Sequence, residues 1–161
     1  MPGAAAGFCD TVSKFGSGNL TLAQILAPAI EYAEEGFPVH QISAQLWGDA
    51  VMLLKKASPN YGELLKNGDR APKEGEIMRI PTLAQTYREL SVKGRKGFYE
   101  GRVAEEIVKA VKDRGGMLSL RDLKRHGDIG SVEVEPINLE IPWGTQERMG
   151  PKTVWQCKSL L

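Results

Sequence analysis

The sequence predicts a mainly α fold with a few strands at its C-terminal end. Two observations carry this. Apolar residues recur at three- and four-residue steps through five successive segments, each bounded by recognisable start and stop signals. After Gly127 the rhythm changes to alternation, as in a half-buried strand.

The first predicted helix is the most fully specified. Thr21 is a good N-cap and Gln24 completes a capping box, with Leu20 and Ile25 placed as a hydrophobic staple. Leu22, Ile25, Leu26, Ala29, Ile30 and Ala33 form one apolar face, which reads as packing surface. Pro28 lies inside and is expected to kink the helix; Gly36 and Pro38 end it. A second helix is expected from about Val39 to Lys56, with a stripe of Ile42, Leu46, Ala50, Leu53 and Leu54 and with Lys55 and Lys56 at its negative end. Asn67 to Glu76 reads as an exposed loop. Thr82 and Gln85 suggest a capping box for a third helix carrying Leu83, Tyr87 and Leu90 and closed by Gly94.

Gly97-Phe98-Tyr99-Glu100-Gly101 reads as a turn with two aromatics. Ala104, Ile107, Val108 and Val111 mark a fourth helix, stopped by Gly115-Gly116. Ser119 caps a short fifth helix, with Asp122 at its third position and Leu118 facing Leu123. Val132, Val134, Ile137, Leu139 and Ile141 then alternate with polar residues around Pro136, as in an edge or bent strand. A lone strand pair is marginal in water, so these strands call for a sheet that the chain does not clearly supply. No period is evident from Pro142 to Leu161.

The chain has 161 residues, enough for one core, and a formal charge of +1, so no global field draws it to nucleic acid or an acidic membrane. Cys9 and Cys157 make no cysteine framework. No apolar run approaches the ~20 residues that span a bilayer. The N-terminal Met-Pro-Gly-Ala-Ala-Ala-Gly is unlike a signal peptide, so a cytoplasmic chain entering a domain midway is expected.

No catalytic constellation stands out. His40 and His126 have no metal-ligand spacing; His40 reads as a first-turn surface or packing residue and His126 as a cation at a helix C-terminus. There is no Gly-x-Ser-x-Gly elbow and no phosphate loop. Glu34-Glu35 and Glu105-Glu106 read as solvated helix charges. Lys93, Arg95 and Lys96 form one basic cluster, and Arg121, Lys124 and Arg125 another. Each could touch phosphate, but without interleaved aromatics both read as solvated surface.

Four segments together resemble the large subunit of gamma-glutamyltranspeptidases. Met1-Pro2-Gly3 through Gly7 is similar to the family's Val-Pro-Gly-x-x-x-Gly. Ala27-Pro28-Ala29-Ile30 through Glu34-Glu35-Gly36-Phe37-Pro38-Val39 resembles the stretch that follows. Gly97 to Gly101 matches Gly-Phe-Tyr-x-Gly, and Gly115 to Leu123 matches Gly-Gly-x-x-[Ser/Thr]-x-x-Asp-Leu. The likeness runs from Met1 to about Ile141 and fits best the bacterial-type, YwrD-like branch.

The resemblance implies an N-terminal-nucleophile hydrolase in which a self-cleaving precursor exposes a threonine. That threonine attacks the gamma-glutamyl amide of glutathione, with its own α-amine as base, and passes the acyl group to water or an amine. No cofactor or metal is implied. The implied fold has four layers, helix-sheet-sheet-helix, of which this chain is the helical lobe at 1–141 with a divergent tail at 142–161. Most of the sheet is missing, which leaves apolar faces uncovered.

The chain departs from the family in what it lacks. It holds no Thr-Thr-His run, and the arginine that grips the donor carboxylate precedes the Pro-Gly segment in the family. No residue is therefore assigned as catalytic, substrate-binding or metal-binding. Thr153-Val154-Trp155-Gln156-Cys157 resembles a family strand, but Lys158-Ser159-Leu160-Leu161 replaces the expected continuation. The pattern suggests a truncated or degraded copy, inactive alone. The alternatives are an interaction module that pairs with a small subunit or a full-length homologue, and an unrelated helical binding domain. Gamma-glutamyl substrate would bind only with the missing segments supplied, and no nucleic-acid or membrane partner is expected.

Overall fold

In a computed structural model of the chain, residues 1–132, 134, 137–140 and 153–156 are described. They fall into two units, Met1–Gly130 and Ser131–Leu161.

The first unit opens with a helix that the sequence reading did not anticipate, α1, Ala4–Phe15. Its N-cap is Gly3, which has no side chain to offer the first turn. The Tyr99 hydroxyl does this instead, accepting a hydrogen bond from the Ala6 N–H at 3.1 Å. The cap comes from the other end of the unit, so no local signal announces it.

Helix α2, Leu22–Glu35, has the Thr21–Gln24 capping box expected of it and ends at Gly36 with φ +106°. Its apolar face packs as expected: Leu26 and Ala33 are buried, and Leu22 and Ile30 lie against the core. The helix runs through Pro28 without interruption. The carbonyl that Pro28 leaves without a donor is that of Gln24, on the exposed side, where water can serve it. Leu20 and Ile25, the expected staple, are 58% and 43% exposed, so the pair adds little burial.

A short strand β1, Phe37–Pro38, leads to α3, Gln41–Ala57. His40 caps α3, its Nδ1 accepting from the Ile42 N–H at 3.3 Å. The expected stripe is not core here: Ile42, Leu46 and Leu53 are each more than 60% exposed, and no α3 residue is buried. After a 3₁₀ turn at Tyr61–Leu64, the chain returns through β2, Ile77–Met78, which pairs antiparallel with β1. The α3 excursion is therefore tied at its base by two residues from each strand.

The expected loop at 67–76 is ordered by a carboxylate clamp. Arg70 donates two 2.7 Å hydrogen bonds to Glu76, and the Lys73 N–H donates a third. The Arg70 bonds, and then the Lys73 N–H, pull the Glu76 carboxyl down from 4.5 to about 2. A depressed carboxylate pKa favours the clamp at pH above 4.5, and that preference is lost as pH falls toward about 2. A side-chain carboxyl NMR titration is expected to place Glu76 near 2, and Arg70→Ala to move it back toward 4.5. A midpoint near 4.5 in the unaltered chain contradicts the clamp.

Helix α4, Pro81–Lys93, starts one residue before the cap expected at Thr82. Pro81 takes the first helical position, where its missing N–H is no loss. The Thr82 N–H is satisfied by Glu63 at 2.8 Å, across the chain, so the Thr82–Gln85 box does not form. Helix α4 packs on α2 through Leu90 and Tyr87. The Ile80 N–H bonds to the Ala33 carbonyl at 2.8 Å, and Arg88 pairs with both oxygens of Glu34. Glu34 is thus an inter-helix tie, beyond the solvated charge that helical spacing suggests.

Gly94, at φ +57°, closes α4 as expected. The aromatic turn then forms one helical turn, α5, Lys96–Tyr99, followed by α6, Arg102–Lys112, and α7, Leu120–Ile129. The Ser119–Asp122 capping box on α7 is present, with the Asp122 carboxyl held below its ordinary range by the Ser119 hydroxyl. Ala5, Ala6, Leu26, Leu90, Tyr99, Ala104, Val108 and Leu123 make the core of this unit.

In the second unit, β3, Ile137–Glu140, pairs antiparallel with β4, Thr153–Gln156. The expected strand at 137–141 and the family-like strand at 153–157 are thus partners over these four pairs. Val132 is exposed and outside any strand. Pro136, Ile141, the tail at 142–152 and residues 157–161 lie outside the described residues.

Candidate functional site

Two of the four family-like segments meet at one side chain, and a third shares its core. Tyr99, from the Gly-Phe-Tyr-x-Gly turn, is 1% exposed. Its hydroxyl donates to the Pro2 carbonyl at 2.7 Å and accepts from Ala6, both in the Pro-Gly segment. Its ring meets Phe98 edge-on at 5.1 Å and His126 at 5.3 Å. Gly127 lies beneath: a Cβ there would stand 2.7 Å from the Tyr99 Cβ. The Gly115–Leu123 segment completes the junction through Leu118 and the fully buried Leu123. Burial pushes the Tyr99 hydroxyl up from its ordinary value, so it stays protonated and keeps its bond to Pro2.

His126, expected as a helix-end cation, is also a packing residue against this ring. Beside it is a group that sequence reasoning did not single out, Asp10, 4% exposed on α1. Arg95 approaches it at 3.6 Å and Lys14 at 3.9 Å. Asp10 stands four residues before Lys14, the one local signal that could have suggested a pair. Cys9 has its thiol raised, first by burial and then by the Asp10 charge, which keeps it a poor nucleophile.

Next to Tyr99 opens a cleft of about 310 Å³ lined by Lys93, Arg95, Lys96, Glu100, Lys124 and Asp128, with Tyr99 and Gly127 at its wall. Lys124 of the second basic cluster therefore shares one cavity with the whole of the first. The Lys124 ammonium lies between two carboxylates, Glu100 at 3.3 Å and Asp128 at 3.4 Å, and both help raise its pKa. Arg121 and Arg125 are exposed and do not line the cleft. His40, Glu105 and Glu106 lie elsewhere on the surface. Among the described residues no group of three His, Cys, Asp or Glu side chains could hold a metal ion, and no helix is long and apolar enough to cross a membrane.

This helical layer has counterparts in proteins of one family. The sequence profile of gamma-glutamyltranspeptidase matches residues 1–151, and the chain belongs to that family. A glutathione hydrolase proenzyme of Pseudomonas sp. (strain A14) is 31% identical over 126 residues, which are 78% of this chain and 22% of that protein. The glutathione hydrolase-like YwrD proenzyme of Bacillus subtilis (strain 168) is 33% identical over 109 residues, 68% of this chain and 21% of that one. The crystal structure of Helicobacter pylori gamma-glutamyltranspeptidase superposes with a TM-score of 0.77 at 28% identity, covering 95% of this chain and 41% of that chain. The chain spans about a fifth of the length of these two curated relatives.

Proposed function

We propose that these residues are the helical lobe of the large subunit of a gamma-glutamyltransferase or glutathione hydrolase, and that they serve as scaffold. The single observation that carries this reading is the family match over residues 1–151. The meeting of two family-like segments at Tyr99, in one core with a third, supports it. Those segments are where a helical layer is locked together. On this reading the lobe, 1–141, packs on the sheet of a four-layer fold, with 142–161 as its divergent continuation. The reaction is transfer of a gamma-glutamyl group to a threonine hydroxyl, with loss of the amine, followed by hydrolysis or transfer to an acceptor amine. An N-terminal threonine would use its own α-amine as base. The 161 residues include no Thr-Thr-His, so the chain by itself lacks the attacking group.

The homogeneous 161-residue chain is expected to release no chromogenic amine from a gamma-glutamyl anilide above the uncatalysed rate. Turnover that co-purifies with the chain and survives a second, orthogonal purification overturns the scaffold reading. One observation favours a second role, pairing with a small subunit or full-length homologue. Ile42, Leu46 and Leu53 present an exposed apolar stripe on α3. A pull-down of a full-length family member by the chain tests that role, and absence of association counts against it.

A further inference from the structure

The cleft beside Tyr99 has a charge balance that the ion pairs around it do not close. Its lining carries four cations, Lys93, Arg95, Lys96 and Lys124, against two carboxylates, Glu100 and Asp128. Lys124 is held by both of those carboxylates. Arg95 is directed to Asp10, which is itself almost fully buried. Lys93 and Lys96 have no carboxylate within ion-pair distance among the described residues. They stand on either side of Gly94, whose positive φ turns the chain between α4 and α5. Two uncommitted ammonium groups thus border one concavity, and the carboxylates lining it among the described residues are already engaged.

We propose that this cleft binds a small phosphate-bearing molecule, with Lys93 and Lys96 supplying the charge that meets the phosphate dianion. A lysine ammonium is a compact point charge that suits phosphate, and two of them match two negative charges. The cavity volume of about 310 Å³ lies at the small end of ligand sites, which suits a phosphate ion or a short phosphate ester. Nucleic acid does not fit as well: the Tyr99 ring is buried and offers no face for a base to stack on. Glu100 and Asp128, positioned by Lys124, retain oxygen lone pairs on the wall of the cleft. They can accept bonds from ligand hydroxyls, which favours a phosphorylated polyol over bare phosphate. The site needs none of the gamma-glutamyl chemistry, so it stands or falls apart from the scaffold reading.

The test is NMR-monitored titration of the full chain with inorganic phosphate and, separately, glycerol 3-phosphate, at ~20 mM and ~150 mM sodium chloride, since screening weakens exposed charge pairs. Saturable shifts centred on the amides of Lys96, Tyr99 and Gly127 are expected, weaker at the higher salt. The double substitution Lys93→Ala/Lys96→Ala is expected to raise both dissociation constants about tenfold, a 1.4 kcal/mol loss. Glu100→Gln is expected to weaken glycerol 3-phosphate more than inorganic phosphate. Lys109→Ala/Lys112→Ala, an equally spaced exposed pair on α6 outside the cleft, is the control and is expected to change neither. All four lysines are exposed, so the variants are expected to keep the helical circular dichroism of the unaltered chain. Shifts that do not saturate by ~20 mM ligand overturn the proposal. So does an equal loss from the control pair.

Discussion

Tyr99→Ala is expected to destabilise the helical unit by about 3–5 kcal/mol, the usual range for truncating a buried aromatic. Three effects act together. The ring leaves a cavity between α1, α5 and α7, because Gly127 beneath it and Ala5 and Ala6 beside it have little side chain to relax into the space. The Ala6 N–H loses the acceptor that caps α1, and Gly3 has no side chain to replace it. The Pro2 carbonyl loses its donor. Tyr99→Phe separates these effects, since it keeps the ring and removes the hydroxyl. Its expected loss is about 1–3 kcal/mol, the penalty for leaving a buried amide unpaired. Urea unfolding followed by helical circular dichroism measures both. A Tyr99→Ala midpoint within error of the unaltered chain removes Tyr99 from the centre of this fold. A Tyr99→Phe variant as stable as the parent removes only the capping role.

The same residue marks where sequence reading stops. The helices that could be placed from sequence carry their signals within four residues. Thr21–Gln24 and Ser119–Asp122 are capping boxes in the sequence and in the structure. Helix α1 went unseen because its cap stands at position 99, and a cap that arrives through tertiary packing leaves no trace beside the helix it serves. Helix α4 starts earlier than its sequence signals indicate. The rule that pairs Thr82 with Gln85 lost to a proline at the first position and to a carboxylate, Glu63, from an earlier turn.

The candidate site shows the same division. Both basic clusters could be seen in the sequence, but each taken alone is an ordinary solvated patch. Only the return of α7 against α5 puts Lys124 and Lys96 on one cavity. The apolar stripe of α3 erred in the other direction. Helical spacing identifies a face that prefers cover, but it does not say that this segment contains the cover. Ile42, Leu46 and Leu53 have the spacing of core residues and the exposure of surface ones.

Gly97→Ala is expected to destabilise the unit by about 3 kcal/mol, at the upper end of the range for overpacking, although it adds one methyl group. A Cβ at position 97 would overlap the Glu89 carbonyl oxygen, stand 2.5 Å from its carbon, and stand 3.0 Å from the Leu90 nitrogen. These are backbone atoms of α4, so no rotamer change relieves the contact. α5 must lift from α4, and it carries Tyr99 with it. The strain therefore spreads to the α1 cap and to the Lys93–Lys96 edge of the cleft. Gly94→Ala and Gly101→Ala are useful contrasts. Both sites have positive φ, at +57° and +70°, but open space where a Cβ would go. Their expected loss is about 1–3 kcal/mol each, from a backbone conformation that glycine alone takes readily. A loss well below about 1 kcal/mol at position 97 would mean that α5 does not press on α4. A loss of about 3 kcal/mol at 97, where φ is not positive, ties the Gly-Phe-Tyr-x-Gly wording to its physical reason: the first glycine lets the turn lie against α4, and the tyrosine it delivers closes α1.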